Sequence, residues 1–263
     1  MPDGIPFDAD QAAQALIAAR RARRVLGSLP PEVAPHRLAD GIAAQLAVAR
    51  LCGAYPPAGF KIGATARRMQ DYLGLPGPAA GFMAEAGLHG SGSTLSVAPF
   101  LLPGVECELA VILAQDIAPG PCSAAQAAAA VDELMAGIEI VENRYGPLDA
   151  LGTPTLVGDQ VYHAAAILGA PYPGWRDLDL CALAGTLRID GEQRGAGRGS
   201  DLLGDPMAAL AWLAASEEAA AFGGLRAGQV IMLGSVTPPI WLDGPAQIEV
   251  SFPPLPTVVL HLV

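Results

Sequence analysis

The chain has 263 residues, of which 52% are hydrophobic and 16% are charged, and its net charge is −11 with an isoelectric point near 4.7. This length suits a single α/β or mostly-β unit with an appendage, and the acidity argues against nucleic acid and anionic membranes as partners. The low share of charged residues predicts that part of the surface is buried in a homo-oligomer.

The four cysteines form no C-x-x-C pair, and no histidine is spaced to complete a zinc site with them. They are typical of reduced, partly buried thiols in a cytoplasmic protein. The first ten residues, MPDGIPFDAD, lack the basic start and the apolar core of a signal peptide. We therefore expect a cytoplasmic protein without a membrane span.

The first 55 residues predict a helical N-terminal appendage. Residues 8–28 have helical spacing with Asp8 or Asp10 as the cap, and residues 38–49 form a second amphipathic pattern. Four arginines between residues 20 and 24 are most simply a solvated face, since nothing Gly-rich or aromatic accompanies them.

From residue 56 onward the pattern changes to short strands with few helices between them. GFKIG predicts a strand, TARRMQDYLG a helix capped by Gly74, and a Pro- and Gly-rich loop is expected to about residue 93. An Ala-rich helix capped by Ser123 is predicted to run to about Met135. Further strands, a hairpin at Asp190-Gly191 and a helix opened by Asp205-Pro206 complete the chain. Residues 56–263 are thus expected to form a β-rich catalytic core of α+β class.

Two carboxylates stand one residue apart in the strand GVECELAVIL. Glu106 and Glu108 would point to the same face, about 6.6 Å apart, and the strand GIEIVENR can bring Glu139 beside them. Three carboxylates in an apolar setting suit a hard divalent cation such as Mg²⁺. A strand edge that faces water would show the same Glu-x-Glu spacing. Glu142 should face the other way and lie on the surface.

Lys61 is the only lysine in the chain, and it lies inside the strand GFKIG. A buried lysine beside carboxylates could hold an anionic substrate or transfer a proton, whereas a strand lysine can also reach out to water. Ser235 and Thr237 precede a Pro-Pro turn, where their hydroxyls could bind a substrate carboxylate or could simply stabilise the turn. His163 is expected to be a core or surface residue.

Five segments together resemble the 2-keto-4-pentenoate hydratase and 4-oxalocrotonate decarboxylase branch of the fumarylacetoacetate hydrolase superfamily: GFKIGAT, GVECELAVIL, GIEIVENR, DPMAALAWLA and LRAGQVIMLGSVTPP. The resemblance implies a mixed β-roll core with a small helical N-terminal part. It implies Mg²⁺ or Mn²⁺ on Glu106, Glu108 and Glu139, a catalytic Lys61, and a cyclic homo-oligomer, often a pentamer or decamer. It also implies hydration of a 2-hydroxydienoate from aromatic-ring breakdown, such as 2-hydroxypenta-2,4-dienoate, or decarboxylation of 4-oxalocrotonate.

The chain departs from the pattern of that branch after the Lys61 helix. Members carry Pro-Asp-Phe-Gly or Pro-Asp-Tyr-Gly, whereas this chain has Ala79 in place of the aspartate. Either Lys61 and the cation suffice, or Glu85 or His89 on the same segment replaces the aspartate. A milder departure is VGDQ at residues 157–160, where ADN is usual. Alanine cannot transfer a proton, so three alternatives stay open: a hydratase, a decarboxylase, or a non-catalytic subunit that binds an oxo acid.

Overall fold

The computed structural model describes residues 7–263, and two helices come first, α1 (Ala9–Arg21) and α2 (Leu38–Leu51). The Asp8 side chain accepts hydrogen bonds from the backbone N–H groups of Asp10 and Gln11, which confirms Asp8 as the cap. α1 ends at Arg21 rather than near residue 28, and Arg23 just beyond it has a φ of +48°, which a right-handed helix cannot continue.

The N-terminal helices pack into the same hydrophobic core as the rest of the chain. Leu16 of α1 and Val48 of α2 are fully buried in this core, together with strand residues such as Phe60. The division into a helical appendage over residues 1–55 and a catalytic core over residues 56–263 stays a prediction.

The described residues contain thirteen strands and six further helices. The strands are β1 (Gly59–Gly63), β2 (Ala79–Met83), β3 (Leu88–Gly90), β4 (Ser93–Leu95), β5 (Pro103–Leu113), β6 (Val131–Glu142), β7 (His163–Leu168), β8 (Ala184–Ile189), β9 (Glu192–Arg198), β10 (Val230–Ser235), β11 (Ile240–Trp241), β12 (Ala246–Ser251) and β13 (Val258–Leu262). The helices are α3 (Arg67–Leu73), α4 (Ala124–Ala129), α5 (Leu148–Leu151), α6 (Thr153–Gly158), α7 (Pro206–Ala215) and α8 (Glu217–Ala221). This mixture confirms the α+β class.

The strands form two sheets. The larger sheet has the order β2, β1, β10, β5, β6, β7, β3, and β11 pairs with β5 at one end. Its pairings are antiparallel except for β1 with β10 and β3 with β7. The smaller sheet has the order β4, β13, β12, β8, β9. The long central pair, β5 with β6, is buried on both faces and carries the candidate site.

Several short-range predictions are confirmed. Gly74 ends α3 in the left-handed conformation, and Ser123 and Gln126 form the reciprocal cap of α4. Asp190 and Gly191 both have positive φ between β8 and β9, as a tight hairpin requires. The Asp205 side chain caps α7, whose first residue is Pro206.

Two local predictions are wrong. The Ala-rich helix ends at Ala129 instead of Met135, because Leu134 and Met135 pair with β5 and are buried there. The expected loop up to residue 93 contains β2, in which every residue is buried, and β3. In both places tertiary burial overrides the local preference.

The four cysteines are unpaired, and Cys107 is fully buried. Among residues 7–263, no helix combines the length and the apolar character that crossing a membrane demands.

Candidate functional site

The register of β5 against β6 brings the three predicted carboxylates together. Glu106 lies directly opposite Glu139, and Glu108 lies one pleat further along the same face. Carboxylate oxygens of Glu106, Glu108 and Glu139 all lie within 4.8 Å of one another. Antiparallel pairing, with α4 in the connection, therefore produces the cluster that the spacing predicted.

The carboxylate cluster is largely buried and incompletely hydrogen-bonded. Glu108 is fully buried, Glu139 is 1% exposed, and Glu106 is partly exposed. Glu108 Oε2 accepts a hydrogen bond from the backbone N–H of Gly234 at 3.1 Å. Glu108 Oε1 and Glu139 Oε2 are buried and have no hydrogen-bond partner among the described residues. Because an unpaired buried carboxylate oxygen is costly, these two atoms point to a cation between them.

Burial and mutual repulsion disturb the ionisation of the cluster. Burial, with repulsion from Glu139, raises the pKa of Glu106 to about 8. Burial and the charges of Glu139 and Glu106 also raise the pKa of Glu108. Burial acts in the same direction on Glu139, but the Lys61 charge and the His163 hydrogen bond outweigh it, so the pKa of Glu139 is lowered. Without a cation, the cluster cannot hold three full negative charges.

Lys61 lies in the interior and does not reach water. It is 2% exposed on β1, where it pairs with Met232 of β10 and Gly81 of β2. Its Nζ donates a hydrogen bond to the carbonyl of Val161 at 2.5 Å and lies 3.6 Å from Glu139 Oε1. The only lysine is thus held beside the carboxylates, and one of its N–H groups is already bonded to the Val161 carbonyl.

His163 completes the cluster, although its sequence context predicts only a core or surface residue. It is 5% exposed at the start of β7, and its Nδ1 lies 2.8 Å from Glu139 Oε1. Burial lowers the pKa of His163 despite the nearby carboxylate, so a neutral ring would donate Nδ1–H to Glu139. The available signal was a histidine that opens the strand after GIEIVENR. The prediction of a core or surface residue agrees with its burial, but it did not include the contact with Glu139.

A left-handed segment supports Lys61. Gln160, Val161 and Tyr162 are consecutive non-glycine residues with φ of +64°, +49° and +68°. Such backbone costs on the order of 1–2 kcal/mol per residue, so the surroundings must hold it in place. Gln160 Nε2 donates to Phe82 O at 2.6 Å, and a Cβ at Gly81 would lie 2.8 Å from Gln160 O. The segment therefore depends on a side-chain anchor and on a glycine beneath it.

A buried ion-pair network anchors Asp159, the residue that precedes this left-handed segment. Asp159 accepts hydrogen bonds from Arg20, Arg144 and Tyr145 at 2.5, 3.0 and 2.9 Å. Arg144 also donates to Glu142 at 3.2 Å, and Glu142 is 9% exposed. The prediction that Glu142 lies on the surface is wrong, because Arg144 neutralises it inside the protein.

Ala79 lies on the same face as Lys61, at the end of β2. It pairs with Gly63 and is 1% exposed. A Cβ at Gly63 would lie 3.1 Å from Lys61 Nζ and 3.4 Å from the side chain of Val161. The space beside the lysine is therefore bordered by Val161, whose carbonyl accepts the hydrogen bond from Lys61 Nζ.

The remaining predicted residues lie at or beyond the margin of the cluster. Ser235 pairs with Glu108, and its Oγ donates to Thr237 O at 2.7 Å, while Thr237 Oγ1 accepts from Cys107 N–H. These hydrogen bonds stabilise the turn, and a role in substrate binding stays a prediction. Glu85 is exposed, and His89 lies on β3 opposite Ile167. Within the described chain, neither makes a hydrogen bond or an ion pair with the carboxylate cluster or Lys61.

Aromatic rings lie at the partly exposed side of the cluster. Trp241 pairs with Gly104, and its ring occupies the place of a Cβ at Gly104, on the face of Glu106. Tyr162 lies 6.2 Å from the Trp241 ring between centroids, and Trp241 is 39% exposed. These rings are suitably placed to contact the part of a ligand that extends beyond the carboxylates.

The profile described as fumarylacetoacetate (FAA) hydrolase C-terminal matches residues 58–263. This chain belongs to that family. The 2-keto-4-pentenoate hydratase of Burkholderia vietnamiensis is 35% identical over 181 residues, which are 68% of each chain. The 2-hydroxyhexa-2,4-dienoate hydratase of Comamonas testosteroni is 31% identical over 68% of each chain, and the 4-oxalocrotonate decarboxylase of Pseudomonas putida is 26% identical over 78% of this chain and 77% of that one.

Solved structures share the fold of this fumarylacetoacetate hydrolase family member. A 4-oxalocrotonate decarboxylase from Pseudomonas putida G7, complexed with magnesium and adipate, has a TM-score of 0.87 at 23% identity, with 97% of each chain covered. A fumarylpyruvate hydrolase from Pseudomonas aeruginosa, in complex with Mn²⁺ and pyruvate, has a TM-score of 0.58 at 17% identity and covers 78% of this chain and 88% of that one. The predicted mixed β-roll architecture is confirmed.

Proposed function

We propose that the chain is a metal-dependent hydratase, a carbon–oxygen lyase, which acts on a short 2-hydroxydienoate such as 2-hydroxypenta-2,4-dienoate. The observation that carries the proposal is the pair of buried, unpartnered oxygens on Glu108 and Glu139, next to the buried Lys61. Relatives above 30% identity are named as hydratases of this substrate class.

Glu106, Glu108 and Glu139 would hold one divalent cation. Carboxylate oxygens suit Mg²⁺ and Mn²⁺ alike, and three protein ligands leave positions for a bidentate substrate. The orphaned oxygens fit such an ion, because each would gain a partner. When bound, the cation would polarise the 2-oxygen and the carboxylate of an oxo acid.

The residues of the chain would supply orientation and proton transfer. Lys61 Nζ carries a proton close to Glu139 Oε1 and could donate it to the substrate or hold its carboxylate. The Val161 carbonyl fixes the direction of that ammonium group, and His163 fixes the rotamer of Glu139. Hydration of 2-hydroxypenta-2,4-dienoate moves the 2-hydroxyl proton to carbon 5, and water then adds its hydroxyl to carbon 4 and its proton to carbon 3. The aromatic side of the cluster would contact these carbons.

Ala79 favours a second candidate, a decarboxylase. A decarboxylation leaves an enolate and needs the cation, but it does not need an acid at the position of the missing aspartate. Because one relative is named as a 4-oxalocrotonate decarboxylase, 4-oxalocrotonate is the substrate to test for this alternative. A non-catalytic subunit that binds an oxo acid is the third alternative. Glu85 and His89 remain proposed proton carriers, and Ser235 and Thr237 remain proposed substrate ligands.

Three measurements distinguish the three alternatives. Purified protein with Mg²⁺ should consume the diene absorbance of 2-hydroxypenta-2,4-dienoate, and Lys61→Met should reduce the rate by about 100-fold or more. If the protein releases CO₂ from 4-oxalocrotonate but does not consume added 2-hydroxypenta-2,4-dienoate, the decarboxylase is favoured. Tight binding of oxalate without any turnover would favour the non-catalytic subunit.

Two broader proposals follow from the resemblance. We propose a role in the breakdown of aromatic compounds, since short 2-hydroxydienoates are products of ring cleavage. We also propose a homo-oligomer, a pentamer or decamer, in line with the small share of charged residues.

A further inference from the structure

A pocket lies at the end of α1, and its lining differs from the residues of the carboxylate cluster. We call it the arginine pocket; it has a volume of about 410 Å³, and its lining includes Arg20, Arg23, Arg24 and Arg144. His163 also contributes to the lining, but Lys61, Glu106, Glu108 and Glu139 do not. The arginine pocket therefore adjoins the carboxylate cluster through His163 but contains neither its three glutamates nor Lys61.

The charge of the arginine pocket is opposite to that of the chain. Four of the 15 basic side chains line it, although the whole chain carries a net charge of −11. Glu142 is the one carboxylate of the lining, and its two oxygens are already occupied by the Leu101 N–H and by Arg144. Positive charge is thus concentrated at one concave place, where it attracts anions.

Two of the four arginines are committed to the protein. The five N–H groups of Arg144 are used by Asp159, Glu142, Tyr145 and the carbonyls of His163 and Asp159. Arg20 donates to Asp159 and to Gln160. Glu142 and Asp159 balance the charges of these two arginines. Arg144 has no N–H group left for a ligand, and among the described residues the buried Arg20 Nη2 has no hydrogen-bond partner beyond its ion pair with Asp159.

The other two arginines are available. The side chains of Arg23 and Arg24 are exposed, and neither makes a hydrogen bond or an ion pair with any residue between 7 and 263. Their backbone N–H groups bond to the carbonyls of Arg20 and Ala19, so the turn that carries them is ordered. Each guanidinium can bind a carboxylate through two parallel hydrogen bonds.

The floor of the arginine pocket is apolar. Phe82, Phe100, Pro99 and Leu101 line it, together with several alanines. An inorganic anion would leave this surface without a partner, whereas the hydrocarbon part of an organic acid would cover it. We propose that the arginine pocket binds a small organic carboxylate, with its hydrocarbon body on the phenylalanines and its carboxylate on Arg23 and Arg24.

The test is a calorimetric titration of the whole protein with benzoate at low ionic strength, with and without Mg²⁺. The wild type should bind one benzoate per chain in both conditions. The double variant Arg23→Gln/Arg24→Gln should bind at least about tenfold more weakly, because it lacks the charge-assisted hydrogen bonds. The matched control Arg68→Gln/Arg194→Gln removes two exposed arginines that line neither pocket and should bind like the wild type.

Three results would overturn the proposal. The first is an absence of saturable benzoate binding to the wild type. The second is binding that requires Mg²⁺ and is unchanged in Arg23→Gln/Arg24→Gln, which would assign benzoate to the carboxylate cluster. The third is inorganic phosphate binding as tightly as benzoate, which would leave the apolar floor without a role. None of these results would overturn the proposed hydratase activity, because each concerns the arginine pocket alone or leaves the carboxylate cluster able to bind Mg²⁺.

Discussion

Asp159 holds two arginines inside the protein, and its charge should matter for stability. Burial alone would raise the pKa of Asp159, but Arg144 and Arg20 outweigh it and lower the pKa. Asp159→Asn would leave Arg144 buried without its main counter-charge, so we expect a loss of about 3–5 kcal/mol in the free energy of unfolding at pH 7. Urea denaturation measures this loss, and Asp116→Asn, in an exposed pair with Arg226, should cost less than about 1 kcal/mol.

The same carboxylate predicts a pH dependence. Because the pKa of Asp159 is lower in the folded protein than in the unfolded chain, its contribution is fully present above about pH 4 and is lost as the pH falls through the folded value. The stability difference between wild type and Asp159→Asn should therefore shrink on acidification. A difference that stays constant down to the acid transition would contradict this account.

Trp241 tests how the partly exposed side of the cluster contacts a substrate. Its ring covers Gly104 on the face of Glu106, and it lies near Tyr162. Trp241→Ala should raise KM for 2-hydroxypenta-2,4-dienoate by about tenfold, the value of one aromatic contact, with little change in kcat. Trp212→Ala is the control, since this residue belongs to α7. An unchanged KM in Trp241→Ala would show that the Trp241 ring does not contact the substrate.

The segment of residues 160–162, whose Val161 carbonyl accepts the Lys61 hydrogen bond, can be displaced by a substitution that leaves Lys61 unchanged. A Cβ at Gly81 would lie 2.8 Å from the Gln160 carbonyl, which is backbone and cannot simply rotate away. Gly81→Ala should shift the left-handed segment of residues 160–162 and reduce kcat by about tenfold or more, while circular dichroism stays native. Gly77→Ala, where nothing lies within 4 Å of the added Cβ, should keep wild-type kcat.

Strand periodicity was sufficient to predict the elements that carry the carboxylates. Alternation placed Glu106 and Glu108 on one face, and the next long strand supplied Glu139. Periodicity could not show the register of β5 on β6, which depends on packing along the whole pair. Periodicity also failed for α4, because the Ala-rich segment predicts a helix over its whole length. Burial against β5 makes the second half of that segment a strand.

Residues that act through long-range contacts were beyond sequence reasoning. His163 and Glu139 are separated by 24 positions, and Asp159 and Arg20 by 139. No local pattern marks either pair, since each depends on how β7 and the segment after α6 fold back. The left-handed run at residues 160–162 is equally hidden, because none of its members is glycine or asparagine.

At the scale of the whole molecule, the composition predicts assembly. Only 16% of the residues are charged, and large apolar side chains such as Val25, Leu51 and Tyr72 are exposed by 61, 48 and 67%. Light scattering after size exclusion should give five or ten times the 26.8 kDa chain mass. A mass that corresponds to a single chain at micromolar concentration would contradict the proposed oligomer.

The most direct test of the account is Mg²⁺ binding by the carboxylate cluster, measured by isothermal calorimetry. The wild type should bind one ion per chain, and Glu106→Ala and Glu108→Gln should each weaken the affinity by about 100-fold or more while the oligomer is retained. Glu192→Gln, at an exposed position on β9, should bind like the wild type. Equal Mg²⁺ affinity in all four proteins would contradict the central claim that Glu106, Glu108 and Glu139 form a metal site.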